Sequence, residues 1–273
     1  MLARREIVVN YIVLGFFSIV SVVPILGVLL TALTPVDEAS ATFAVPSRLD
    51  LGNLVEAWTK GNFSQYMLSS VIVAVATVVI AGILSILAGF AFARMRFPGR
   101  EFLFYLLILG LFVPLEAYII PLYYEMRSLD LTDTYASLIL PQVAQSIAFG
   151  AFWMRNFFAA TPTSLIEAAR LDGARDGAVL WRILVPVARP AIITMVMLTF
   201  MWTWNDFLLS LVMITSDQFR TAPLALSFFQ GSHLTQYALL SAAAVIVAAP
   251  LIVLYAFLQR YFIRGMLGGA IKE

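Results

Sequence analysis

The chain contains no cysteine, one histidine (His233) and two lysines, Lys60 and Lys272. The first absence removes disulfides, thiolate metal sites and cysteine nucleophiles together. A single histidine rules out a histidine metal pair and argues against a Ser-His hydrolase. Neither lysine follows glycine: Thr59 and Ile271 precede them, so no P-loop is present. If ATP drives this protein, another subunit hydrolyses it. Charge is scarce as well. Charged residues are 12% of the 273, and the net charge is +1, which offers no electrostatic footing for nucleic acid. Apolar residues fill the space: 62% are hydrophobic and the mean hydropathy is +0.93. Ordinary soluble domains carry about 45–50% apolar and about 25% charged residues. The composition is that of a membrane protein.

A spanning helix needs about 20 mainly apolar residues. Six stretches qualify: 11–33, 66–92, 102–124, 135–157, 191–214 and 237–262. The first exceeds the apolar core of a secretory signal, about 7–15 residues, and no small-x-small cleavage site follows it. It reads as a retained span. Basic residues in short loops favour the cytoplasmic side. With the N-terminus inside, thirteen of the 17 Lys and Arg residues fall on inner segments; Arg48, Lys60, Arg127 and Arg220 fall on outer ones. Both termini are therefore expected in the cytoplasm, with the insert 158–190.

The first outer loop, Thr34–Gln65, holds Asn53–Trp58, whose pattern suits a short interfacial helix. Asn62-Phe63-Ser64 matches a glycosylation sequon, a match frequent by chance. The last outer loop, Thr215–Gln236, carries Phe228-Phe229 among polar residues including Gly231 and Ser232. Those rings suit a protein contact, or rest on the membrane surface. In the second span Ala81, Ser85, Gly89 and Ala93 recur every four residues, spacing that lets helix backbones approach closely in lipid. Pro24, Pro114, Pro121 and Pro141 interrupt spans and are expected to kink them.

Polar groups inside spans are costly, about 2.5–3.5 kcal/mol for a central charge on insertion scales. Glu116 follows Pro114. Gln142 and Gln145, three apart, share a helix face beside Pro141. Asn205 and Asp206 follow Trp202 and Trp204, about 21 Å along a helix from Ala191. Ring faces beside amides and a carboxylate suit a polyhydroxylated solute. The competing reading is that they bond to one another, or to a partner, and hold helices together.

The insert Thr161–Pro190 sets Arg170, Arg175, Arg182 and Arg189 against Glu167, Asp172 and Asp176. Ser164-Leu165-Ile166-Glu167 fits a capping box, with Pro162 acceptable in the first turn. Gly173 stands where a helix end wants positive φ. A second short helix is expected from about Asp176 to Val185, stopping before Pro186. The result is a helix-turn-helix at the cytoplasmic surface.

Glu167-Ala168-Ala169, then Gly173 after three residues, then Ile183-Leu184-Val185-Pro186 after nine more, resembles the EAA loop of ABC importer permeases. Only Val185 departs from the usual leucine. Arg94-Met95-Arg96-Phe97-Pro98-Gly99-Arg100, Trp204-Asn205-Asp206-Phe207 and the ending Gln259-Arg260-Tyr261-Phe262 with Gly265 and Gly268-Gly269-Ala270 extend the likeness over nearly the whole chain. Together they look like the carbohydrate-uptake branch, similar to its maltose-type second permease subunit. The resemblance implies an all-α integral membrane protein of six transmembrane helices, a type I ABC importer permease fold as one domain over 1–273. It implies that the insert is a coupling helix, with Glu167, Ala168, Ala169, Asp172, Gly173, Ile183 and Pro186 serving ATPase coupling. Implied partners are a homologous second permease, two cytoplasmic ATPases and an extracytoplasmic solute-binding protein. Phe228 and Phe229 are candidate contacts for the last, and the tail after Arg264 for the ATPases. No cofactor is expected on this chain; ATP and Mg belong to the ATPases. The location implied is a bacterial or archaeal cell membrane. Rival readings are a stand-alone secondary transporter, a membrane scaffold, and the same importer family carrying a glycerophosphodiester, amino sugar or polyamine.

Overall fold

The computed structural model describes residues 4–40, 46–230 and 235–267, with side-chain surroundings for residue 6, 8–40, 46–230 and 235–260. His233, Gly231, Ser232, Gly268-Gly269-Ala270 and Lys272 lie outside the described residues. Every regular element among the described residues is helical, beside one isolated bridge between Gln230 and Thr235. Four helices are long and apolar enough to cross a membrane unaided: α1 (Arg4–Ala32), α3 (Phe63–Arg94), α6 (Tyr135–Ala160) and α13 (Tyr237–Leu267). Two further pairs meet that test only when each is taken as one bent span.

The first bent pair corrects the expected third span. It is α4 (Arg100–Leu109), a 3-10 turn at Gly110–Phe112 and α5 (Leu115–Ser128), bent by 101°. Val113 and Pro114 are both extended, at ψ 110° and 141°. The proline ring disfavours the helical conformation for the residue before it. Pro24, Pro121, Pro141 and Pro250 remain inside helices. The expected fifth span also divides, into α10 (Arg189–Asn205) and α11 (Leu208–Met213), around an extended Asp206 at ψ 121°.

The chain forms two compact units. One comprises Met1–Tyr66 and Leu224–Pro250. Here the expected interfacial helix appears as α2 (Gly52–Lys60). Its buried Asn53 donates through Nδ2 to Ala32 O and Thr34 O, at 3.0 and 2.7 Å, and so ties the end of α1. Trp58 Nε1 donates to Ser64 Oγ at 2.9 Å, and Phe63 is fully buried. Most of α1 is exposed, including Phe16, Phe17 and Ile19. A helix apolar all round must be covered by lipid or protein.

The other unit comprises Met67–Pro223 and Leu251–Glu273. Its spine is the pair α3 and α6, which run parallel. Ser69 Oγ lies 3.0 Å from Tyr135 Oη near their starts, and Arg94 reaches the carbonyls of Phe158 and Thr161 at their ends. The seam expected at Ala81, Ser85, Gly89 and Ala93 is the contact surface. A Cβ on Gly150 would stand 2.1 Å from Ser85 Oγ, and one on Gly89 would stand 2.5 Å from Met154 Cβ. Within lipid such approach gains van der Waals contact where apolar burial alone gains little. Two cores flank the seam. Val73, Ile119, Met126, Leu138, Leu209 and Met213 share one. Ile86, Phe90, Met154, Phe158 and Met195 share the other with buried residues of the polar insert.

Candidate functional site

The insert begins with α7 (Thr163–Leu171). The capping box expected at Ser164 and Glu167 does not form. The helix starts two residues earlier than that box requires, so Ser164 already sits in its first turn, and no side chain caps it. The other end forms as the sequence suggests. Gly173 has φ 82°; its N–H donates to Arg170 O at 3.0 Å, and Ala174 N–H donates to Ala169 O at 2.9 Å. Those two bonds are the Schellman pair, which needs a left-handed residue after the cap.

The second helix does not stop before Pro186. It runs as α8 (Asp176–Ala178), a π-helical turn at Val179–Leu184 and α9 (Val185–Val187). Proline lacks an N–H and its ring clashes with the carbonyl four residues back in an α-helix; the wider π turn relieves that geometry. The chain then bends by 79° into α10.

The insert has two faces. Ile166, Ala169, Val179, Leu180 and Leu184 enter the core shared with α3 and α6. On the other face Glu167, Ala168, Asp172 and Gly173 are exposed, while Ile183 and Pro186 are half-buried. Leu171 is 89% exposed and Trp181 48%, apolar surface that sequence reasoning passed over. Asp172, Gly173, Arg175, Trp181, Arg182 and Ile183 line part of a concavity of about 720 Å³. The Arg170–Asp176 ion pair, at 2.9 Å, braces the turn between the helices.

Both ends of the insert are gripped by spans. Arg94 Nη2 donates to Phe158 O, which also accepts Thr161 N–H, and to Thr161 O, where α6 ends. Trp153 Nε1 donates to Ala191 O at 3.0 Å, in the first turn of α10. Packed side chains and hydrogen bonds thus tie the insert and its ends to α3, α6 and α10.

The polar residues of the spans are dispersed over α5, α6 and α10 and the residues after it. Glu116 is exposed in the first turn of α5. Gln142 is buried and Gln145 exposed, so their three-residue spacing does not place them in one environment. Trp204 is buried and stacks on Phe200, with centroids 5.4 Å apart. Asp206 Oδ1 accepts Leu209 N–H at 3.1 Å and so caps the start of α11. Asn205 is exposed, with its Nδ2 bonded to Met201 O at 2.8 Å. Beside it Trp202 is half-exposed and meets Phe149 edge-on at 4.8 Å. Of the two loop phenylalanines, Phe229 is buried; Phe228 is 48% exposed, with its ring 6.0 Å from that of Tyr66.

Asp133 was not anticipated. At φ 59° its Oδ1 accepts from Thr215 N–H, Ser216 N–H and Ser216 Oγ, each at 2.9 Å, and its own N–H donates to Met213 O. The Ser216 N–H leads the bonds that hold this carboxyl below its ordinary value. The clasp joins loops 82 residues apart. Its local sequence, Thr132-Asp133-Thr134, resembles any turn before a helix.

Several apolar crossings, a pair of tightly seamed parallel helices and a braced helical insert define a multi-pass α-helical membrane protein. The chain belongs to the binding-protein-dependent transport system inner membrane component family, whose profile matches residues 81–268. It is 32% identical to a probable ABC transporter permease protein of Pyrococcus horikoshii, over 99% of both chains. It is 30% identical to the diacetylchitobiose uptake system permease of Streptomyces coelicolor, covering 94% of this chain and 86% of that one. Its fold matches a chain of a bacterial ABC transporter involved in alginate import, with a TM-score of 0.78 at 22% identity, over 96% of this chain and 99% of the other.

Proposed function

We propose that this chain is the permease subunit of an ATP-driven importer for a sugar or sugar-like solute. The observation that carries the reading is the insert. It is stiffened by a Schellman end and an ion pair, and it packs against three spans. It still exposes Glu167, Leu171, Gly173 and Trp181, and the last two line one concavity. A cytoplasmic ATPase docked on that face would move the spans directly. The chain has no P-loop of its own, so ATP and Mg are held by two partner ATPases. A homologous second permease and an extracytoplasmic binding protein complete the complex, as the family's description supports. Both termini and the insert lie in the cytoplasm, on the distribution of arginines.

The transport cycle is alternating access. The loaded binding protein and ATP each bind one conformation better than the other, and only such a difference shifts a conformational equilibrium. The solute class rests on relatives named for diacetylchitobiose and alginate. Within this chain the exposed Trp202 beside exposed Asn205 offers a ring face and an amide to a hydroxylated solute. Reconstituting the four-part complex in proteoliposomes and measuring ATP-dependent uptake of labelled oligosaccharides tests the proposal. Uptake by this chain without ATPase subunits would sink it.

A further inference from the structure

Two ridges of buried residues face each other along α3 and α6. On α3 they are Val73, Thr77, Ala81, Ser85 and Gly89; on α6, Leu138, Gln142, Ser146, Gly150 and Met154. Each advances four residues at a time. Close approach fixes the register at two rungs, Ser85 with Gly150 and Gly89 with Met154, both at an offset of 65. Val73 and Leu138, at the same offset, share one core. The register places Thr77 opposite Gln142. Thr77 is wholly buried and Gln142 is 9% exposed, and neither Thr77 Oγ1 nor Gln142 Oε1 has a hydrogen-bond partner.

We propose that this rung is a binding site for one ordered water molecule, shared by the two helices. Thr77 Oγ1 donates to the water, and the water donates to Gln142 Oε1. Ser146, buried one turn further along α6, supplies a third polar group. A buried water commonly makes about three bonds and needs two to four polar partners, and this rung has them. On one side the next rung is apolar Val73 with Leu138. On the other, beyond Ala81 and Ser146, Ser85 and Gly150 leave no room for even a methyl group, which closes the site to anything larger. The two oxygens do not bond each other, so a direct Thr77–Gln142 bond does not satisfy them. A water bridge is nearly as good enthalpically as a direct bond, and it holds α3 and α6 in register at a depth where the other rungs make only contact.

The test is a thermodynamic cycle in the full chain purified with its partner subunits, read as the thermal unfolding midpoint. Thr77→Val and Gln142→Leu each lower the midpoint. The double variant falls no lower than the worse single, because the same water is lost in each. Thr77→Ser, which keeps the hydroxyl, retains the wild-type midpoint. Additive losses in the double variant, or singles that leave the midpoint unchanged or raise it, overturn the proposal. If a variant does not assemble, a density map of the wild-type complex that resolves ordered waters decides. A peak within hydrogen-bond distance of both oxygens supports the site; its absence, or a direct Thr77–Gln142 bond, overturns it.

Discussion

Gly173 has nothing within 4 Å of where a Cβ would stand, so what it supplies is a backbone conformation and not space. At φ 82° a β-branched side chain is strained, by about 1–2 kcal/mol for a left-handed residue. Gly173→Val is therefore expected to loosen the exposed turn of the insert and to reduce co-purification of the ATPase, with membrane insertion unchanged. Gly173→Asn, which tolerates the left-handed region, should keep most of that co-purification. Equal capture of the ATPase by both variants would count against the assignment. Asp133 acts at the same scale through charge. Its folded value is depressed, so its stabilisation is complete above the ordinary carboxylate value and disappears as pH falls through the lower, folded value. Asp133→Asn is expected to cost about 1 kcal/mol near neutral pH, allowing for solvent screening. The gap in thermal midpoint between wild type and variant should close on acidification. A gap that does not change with pH would refute the ionic account.

Among the elements, the seam was legible because a four-residue spacing of small side chains has few other uses within an apolar helix. Its partner ridge was not, since Leu138, Met154 and Phe158 are bulky and announce no seam. Gly150 marks where the two meet. Gly150→Ala should cost about 1–3 kcal/mol through overpacking against Ser85. Adding Ser85→Gly should recover part of that loss in the thermal midpoint, and no recovery would mean that the clash lies elsewhere. Proline positions were legible, but their consequences were not. Pro114 accompanies a 101° bend, while Pro141 and Pro250 stay within helices. Pro24 also stays helical although α1 is largely exposed, so a proline's position alone does not mark a break. The capping box at Ser164 does not form because α7 begins two residues too early for it. Arg94 links α3 to the end of α6. Arg94→Gln is expected to leave the complex assembled while reducing stimulation of the ATPase by the loaded binding protein. Unreduced stimulation would show that the insert is held adequately by packing alone.

At the scale of the molecule, composition alone pointed to a membrane protein, and four of six expected spans stand as single helices. The family emerged from the spacing of Glu167, Gly173 and Pro186, of which Gly173 marks a helix end that needs positive φ. The span polar residues were harder to read. Trp204 packs in the core, Asp206 caps a helix, and Gln142 is buried while Gln145 is exposed. A polar side chain inside a span must be satisfied somewhere, and its sequence neighbours do not say by whom.

The α3–α6 pair also acts as a gauge of length. Ser69 meets Tyr135 at one end and Arg94 meets the last carbonyls of α6 at the other. A single residue inserted between them would rotate every rung beyond it by about 100°. A full turn would preserve the face but carry Arg94 about 5.4 Å past its carbonyls. Neither helix can therefore gain or lose a turn alone. Insertions and deletions in this stretch should be viable only when both helices change together.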